Sequence, residues 1–379
     1  MSKLNHCIPE IKKFISINTL SECVSKIIHY KVSTIKEWNI EALNCSSLNF
    51  TTDGIFRVYG TVIVSEKEIQ WSLILKIIKP ENDEKNNALH HNYWKREALV
   101  NQSGILCELP YVICAPQCYK VEEKENNSVW IWMEEIIEDN KQPWSDNEFA
   151  FVARKLGIFN GTYLTEKAIP DYPWICRNWI KSWIDSCKKY SIDPTVYFSK
   201  VQKIYNLNSI YNSYNYLNKH LNKHLRALES LPRVLAHQDL SKQNMFITTL
   251  QNSTKKQLTL IDWQFLSISG LGEDLGKLFG VALSQQHIPI VKMDHFKDLL
   301  FTNYLEGLRE AGWNGDASLP QYGFYTSFSF RSAWEVPKLI KLAANSATEK
   351  KQEIELLTSI TMFQMKLSKE ANRIYNEIT

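Results

Sequence analysis

No stretch of this sequence is long and apolar enough to span a membrane, and the opening Met-Ser-Lys-Leu-Asn-His-Cys-Ile-Pro-Glu has no apolar core of signal-peptide length. The expectation is a cytoplasmic protein with no membrane partner. Basic residues nowhere gather into a run, and 44 Lys and Arg against 41 Asp and Glu leave a net charge of +3. The electrostatic footprint of a nucleic-acid binder is therefore missing. The eight cysteines, at positions 7, 23, 45, 107, 114, 118, 176 and 187, include no Cys-x-x-Cys pair. A thiol such as Cys114 in Val-Ile-Cys reads as a small reduced hydrophobe rather than a zinc ligand. Repeats and low-complexity segments are absent as well. What remains is ordinary globular composition, 44% hydrophobic and 22% charged over 379 residues, enough for two lobes with substantial cores.

One stretch organises the rest. Val234-Leu-Ala-His-Gln-Asp-Leu-Ser-Lys-Gln-Asn-Met-Phe-Ile247 is followed by Leu258-Thr-Leu-Ile-Asp-Trp-Gln-Phe265. An apolar strand delivers His237, Asp239 and Asn244, a hairpin turns the chain, and a second apolar strand ends at Asp262. Two carboxylates and an amide can then converge. Magnesium-assisted phosphoryl transfer needs such a set: a base for the proton of an attacking hydroxyl, and hard oxygen ligands for the metal that neutralises the triphosphate. Asp239, just after the strand, is assigned as base, with Asn244 and Asp262 as metal ligands. His237 is expected to support the loop by hydrogen bonding.

His237-x-Asp239-x-x-x-x-Asn244 with Ile261-Asp262-Trp263 resembles the aminoglycoside phosphotransferase and choline kinase group, small-molecule kinases with a protein-kinase-like fold. The resemblance implies an α+β, bilobal chain. Residues 1–139 would form a nucleotide-binding lobe, a small antiparallel sheet with a helix and the hinge strand. Residues 140–379 would form a larger, mainly helical lobe with the catalytic loop and substrate pocket. Protein kinases proper fit less well. Ser241 stands two residues after Asp239, where they carry lysine, with Lys242 one place later. Asp262 is followed by Trp263 and Gln264 rather than Phe-Gly, and no room remains for a peptide-docking segment.

Along the chain, Leu20, Val24, Ile27 and Ile28 predict a helix over Thr19 to Tyr30. From Ile40 to Pro80 the pattern is strands. Ser47 to Gly60 reads as strand, turn, strand, and the turn Thr51, Thr52, Asp53, Gly54 is expected to fold over phosphates. Gln70 to Ile78 reads as a buried strand whose Lys76, flanked by Leu-Ile-Leu and Ile-Ile, must find an anion. The resemblance gives that lysine the α and β phosphates and gives it Glu97, on a helical stretch from Asn92 to Asn101, as ion-pair partner. Ser128 to Ile137 reads as a buried strand running into acids. As a hinge it would set Met133 beside the adenine and the backbone of Glu134 to Ile136 against the base edge. Pro143 and a Ser145-x-x-Glu148 start open a helix through Leu156 to Tyr163, and the chain reads helical to Pro232.

Trp174, Trp179 and Trp183 could form an aromatic wall for a cationic substrate, although core packing is the preferred reading. Asp274, in Ser269 to Phe279, is expected to support the backbone of the catalytic loop, and Lys242 could reach a phosphate. Helices joined by turns near Gly312 to Asp316 and Asn345 to Glu349 complete the chain. The function this implies is transfer of the γ-phosphate of ATP or GTP, with Mg2+, to a hydroxyl of a small acceptor by a monomer or homodimer. An aminoglycoside or other amino-sugar antibiotic ranks slightly first, then choline-like amines and sugars. A catalytically silent nucleotide-binding protein is the alternative of another class.

Overall fold

The computed structural model of the chain describes residues 3–32, 34–43, 51–138, 142–249, 255–345 and 350–378. The N-terminal part is a five-stranded antiparallel sheet preceded by helices α1 (Lys3–Phe14) and α2 (Ile17–Ile27). Its strands are β1 (Ile35–Ala42), β2 (Thr52–Val64) and β3 (Lys67–Ile78), then β5 (Cys118–Glu123) and β6 (Val129–Met133), in the order β1-β2-β3-β6-β5. Between β3 and β5 come α3 (Arg96–Ser103) and the short β4 (Ile113–Cys114).

Both faces of this sheet are covered, and the period of two assigns side chains to each. Leu73, Leu75, Trp130 and Trp132 join Leu20, Cys23 and Val24 of α2 in one cluster. The alternate residues Ile78, Val129, Ile131 and Met133 pack instead with Ala98 of α3 and Trp94. Lys76 shares the face of Ile74 and Ile78 and so must point toward α3. The sequence reading did not anticipate α1, and it began the strands at Ile40 rather than Ile35.

The rest is mainly helical: α4 (Asp146–Thr165), α5 (Trp179–Tyr190), α6 (Thr195–Val201), α7 (Tyr205–Lys219) and α8 (Leu221–Ser230), then α9 (Glu273–Ser284), α10 (Met293–Glu310), α11 (Ser318–Phe330), α12 (Ser332–Asn345) and α13 (Lys351–Ile378). Ser145 and Glu148 close the capping box that opens α4. Helices α4 and α10 cross closely through Gly157 and Gly307: a Cβ on either would run into a backbone oxygen of the other helix, Tyr304 or Arg154.

Four strands are set among these helices. β7 (Arg233–Ala236) pairs antiparallel with β10 (Ser267–Gly270), while β8 (Met245–Thr249) and β9 (Lys256–Leu260) form the hairpin expected from sequence, β9 also pairing in parallel with β4. The expected lobe boundary at 139/140, the strand residues 47–50 and the turn residues 346–349 lie outside the described residues.

Candidate active site

Lys76 leaves β3 into the gap between sheet and helices with its side chain 5% exposed. Its ammonium lies 2.6 Å from Glu97 Oε2 and 2.8 Å from Asp262 Oδ1. Burial opposes its charge, but the two carboxylates overcome that and raise its pKa above the ordinary value. Burial pushes the Glu97 carboxyl up, against the pull of Lys76. A buried lysine is tolerable here because each charge has a partner.

Arg96, the neighbour of Glu97, is fully buried. It donates to the carbonyl oxygens of His91 (2.7 Å), Ala88 and His90 (2.8 Å each), Trp174 (3.0 Å) and Gln264 (3.4 Å). It thereby ties α3 to the turn after Asp262. The sequence reading missed it, because nothing local says that one turn of this helix is sunk among carbonyls. The helix itself begins at Arg96, later than the Asn92 expected.

The Thr51 to Gly54 turn requires a correction. Thr52, Asp53 and Gly54 are the first residues of β2, with Thr52 opposite Ile78, Gly54 opposite Ile77 and a bulge between. Thr51 accepts a backbone hydrogen bond from Lys79. Asp53 is exposed and ion-paired with Lys79. The Thr-Thr-Asp-Gly turn signal is spent on that bulge. The reversal after β2 uses Ser65 and Glu66, at φ 50° and 67°, the left-handed pair of a tight hairpin, without glycine or asparagine to announce it. Of the four residues only Thr52 lines the cleft between sheet and helices.

On the helical side, strand β7 is held from below by Asn160, which donates to Leu235 O (3.0 Å) and accepts from Tyr304 OH (2.6 Å). Beyond it the backbone N–H groups of His237 and Gln238 donate to the Asp274 carboxylate at 2.9 and 2.8 Å. Asp274 thus braces the loop, as expected. His237 Nε2 donates to Ile261 O (3.0 Å), and Nδ1 accepts from Asp239 N (3.2 Å). Burial lowers its pKa to about 4, so the ring is neutral and this tautomer bridges the two loops.

Asn244 donates from Nδ2 to Asp239 O (2.9 Å) and Asp239 Oδ2 (3.1 Å), leaving its own carbonyl oxygen as the atom a metal could use. Gln238 and Asp262 have φ of 59° and 62°, left-handed geometry that costs about 1 kcal/mol or more per non-glycine residue. Two such residues at the point of convergence mark a shape held by its surroundings.

Trp179 is buried and stacks on Trp183, with ring centroids 6.2 Å apart and planes 9° apart, whereas Trp174 stacks on Tyr172. Core packing accounts for Trp179. A cation does lie over it, and it is the chain's own: Lys277 Nζ stands 5.4 Å from the Trp179 ring and 3.6 Å from Asp239 Oδ1. Burial lowers the pKa of Lys277; burial raises that of Asp239, and Lys277 opposes the rise. The sequence reading passed over Lys277, although its place one turn after Asp274 on a nearly all-apolar helix was a usable signal. Lys242 lies 3.6 Å from Glu138 Oε2 and is not among the cleft residues.

These walls enclose a cavity of about 920 Å3 lined by Thr52, Lys76 and Glu97, by Met133 to Ile136, and by Asp239, Asn244 and Asp262. Glu134 N donates to Gln117 O (2.9 Å) at the hinge, and Glu135 is ion-paired with Arg57. No cluster of three or more His, Cys, Asp or Glu able to hold a metal exists among the described residues. One carboxylate and one amide make a hard but incomplete donor set, which suits an ion that completes its shell with phosphate oxygens and water, as Mg2+ does. A doubly paired buried lysine, two carboxylates and an amide thus share one cleft between a sheet and a mainly helical region, the layout of a protein-kinase-like fold.

Comparison with known proteins agrees. Residues 146–299 match the family model for choline/ethanolamine kinases. No curated protein matches the chain. Among solved structures, the amicoumacin kinase hAmiN is similar at 14% identity, covering 93% of this chain and 96% of that one with a TM-score of 0.54. The GDP complex of aminoglycoside 2'-phosphotransferase-IIIa is similar at 13% identity over 92% and 99%, TM-score 0.50. A choline kinase from Cryptosporidium parvum Iowa II is similar at 13% over 88% and 89%, TM-score 0.50. Over residues 146–299 the chain is similar to the choline/ethanolamine kinases, and along nearly its whole length it shares the protein-kinase-like fold of these small-molecule kinases.

Proposed function

We propose that the protein transfers the γ-phosphate of ATP or GTP to a hydroxyl of a small molecule, with Mg2+. The observation that carries this reading is the convergence of Lys76, Glu97, Asp239, Asn244 and Asp262 on one cleft. The nucleotide lies between residues 1–139 and 140–379. Its base packs beside Met133. Because Glu134 N is committed to Gln117, the Glu134 carbonyl and the Ile136 amide read the base edge. Lys76, oriented by Glu97, holds the phosphates. Asn244 and Asp262 hold the metal, which when bound neutralises charge on the phosphates. Asp239 faces the acceptor, aligns its hydroxyl and takes its proton.

The acceptor is a finer question. An amicoumacin kinase and an aminoglycoside phosphotransferase share the fold, and the family model is that of choline/ethanolamine kinases. At 13–14% identity these likenesses do not choose among an amino-sugar antibiotic, a choline-like amine and a sugar. The test is ADP or GDP release with Mg2+ across such acceptors. Stimulation in wild type and its loss in Asp239→Asn, with nucleotide affinity within a few-fold, is expected. Equal turnover in the variant would remove Asp239 from its role.

A further inference from the structure

The chain passes from the sheet to the helices at the hinge, after β6 ends at Met133. A second connection, made of side chains, leaves the sheet elsewhere. Residues 79–95 link β3 to α3, and they start after Ile78, which pairs with Val129 at the opposite end of β6 from Met133. Trp94 fixes this segment to the sheet by packing with Ile78, Val129 and Ile131.

The same segment is bonded to α5. Ser182, Ser186, Lys189 and Tyr190 recur at helical spacing and share one face of that helix, while Ile180, Ile184 and Cys187 are buried in the helical core. Ser182 Oγ accepts from His91 N at 2.9 Å and lies 3.1 Å from His91 Nδ1. Burial keeps that ring neutral, so the hydroxyl donates back to it. His90 Nδ1 accepts from Asn92 N (3.1 Å), which leaves Nε2 to donate to Ser186 Oγ (3.2 Å). Glu84 Oε2 accepts from Lys189 Nζ and Tyr190 OH, at 2.6 Å each. Farther in, the His91 ring meets Phe265 with centroids 6.2 Å apart, and Arg96 donates to Gln264 O; both partners line the cleft.

Two regions joined only at a hinge can open and close by rotation about a few backbone angles. Joined at both ends of β6, they can open only if the bonds to α5 break together and leave half-buried donors and acceptors unpaired. We propose that residues 79–95 form a clasp that holds the sheet on the helices independently of the hinge, so that the cleft is set before nucleotide arrives and does not close on it. This rests on the nucleotide site of the reading above and is independent of transfer.

Small-angle X-ray scattering of the full chain, with and without AMP-PNP and Mg2+, tests the clasp in wild type and in the triple variant Glu84→Ala, Ser182→Ala, Ser186→Ala. None of these three residues lines the cleft. The wild-type radius of gyration is expected to be the same with and without nucleotide. The triple variant should be larger than wild type without nucleotide and return to the wild-type radius with it. Its nucleotide affinity, by calorimetry, should fall at least about threefold, because only the closed fraction binds. Contraction of wild type on binding nucleotide, or a triple variant as compact as wild type without it, overturns the clasp. The wild-type comparison needs no variant and holds even if the triple variant fails to fold. Expansion of the triple variant without nucleotide binding to either protein would support the clasp and count against the nucleotide site alone.

Discussion

Two buried lysines, one on the sheet side of the cleft and one behind Asp239 on the helical side, have different surroundings. Lys76, on the sheet, sits between two carboxylates at 2.6 and 2.8 Å and has its pKa raised. Lys277, on the helical side, has one carboxylate at 3.6 Å and two aromatic faces, and its pKa is lowered. The first is saturated and holds the two walls in register. The second is loosely paired and set against rings. The same residue type is thus a tightly paired structural pivot in one place and a loosely paired, ring-flanked charge in the other.

Removing Lys76 should break this comparison most severely. Lys76→Met leaves Glu97 buried beside Asp262 without its cation, a change expected to cost about 3–5 kcal/mol in denaturant unfolding and to abolish turnover. Adding Glu97→Gln to that variant should restore part of the stability and none of the turnover. An unchanged unfolding midpoint in Lys76→Met would show that the pair does not hold the walls. Arg96→Met tests the same tie from the α3 side: the orphaned carbonyls should cost about 3 kcal/mol. Because Gln264 is one of them, ADP release should fall as well.

The lysine of the sheet was legible and that of the helix was not, for a physical reason. In Leu-Ile-Leu-Lys-Ile-Ile, burial on both faces of a strand is written into the apolar run, and the period of two fixes where Lys76 points. Burial of Lys277 and Arg96 depends on what other segments, distant in sequence, lay over one turn of a helix, and no local pattern encodes that. The Ser145 and Glu148 capping box and the brace at Asp274 were readable because their partners are backbone amides near in sequence or fixed by a strand end. The left-handed backbone at Gln238 and Asp262, and the hairpin at Ser65 and Glu66, carry residues that do not announce positive φ. The same lack of a signal moved the expected turn onto the bulged start of β2.

Smaller effects sharpen the contrast within the helical region. His224, buried against Tyr322, has its pKa lowered by burial from 6.5 to about 4. The unfolded chain takes up that proton first, so the stability this group contributes is present above about pH 6.5 and is lost as pH falls through about 4, at most about 3 kcal/mol. Unfolding midpoints compared at pH 7 and about pH 4.5 should show a smaller loss in His224→Asn than in wild type; equal losses would refute the assignment. Lys277→Met should change stability least, by no more than about 1 kcal/mol, because a poorly paired buried charge is replaced by an apolar chain of similar length. A loss as large as that of Lys76→Met would erase the distinction between the two lysines.

The most direct measurement of the central claim is nucleoside diphosphate release from ATP or GTP with Mg2+, in wild type and Asp239→Asn, across neutral and cationic hydroxyl compounds. Acceptor-stimulated release is expected in wild type alone, with nucleotide binding retained in both. Acceptor-stimulated release that persists in Asp239→Asn would contradict it.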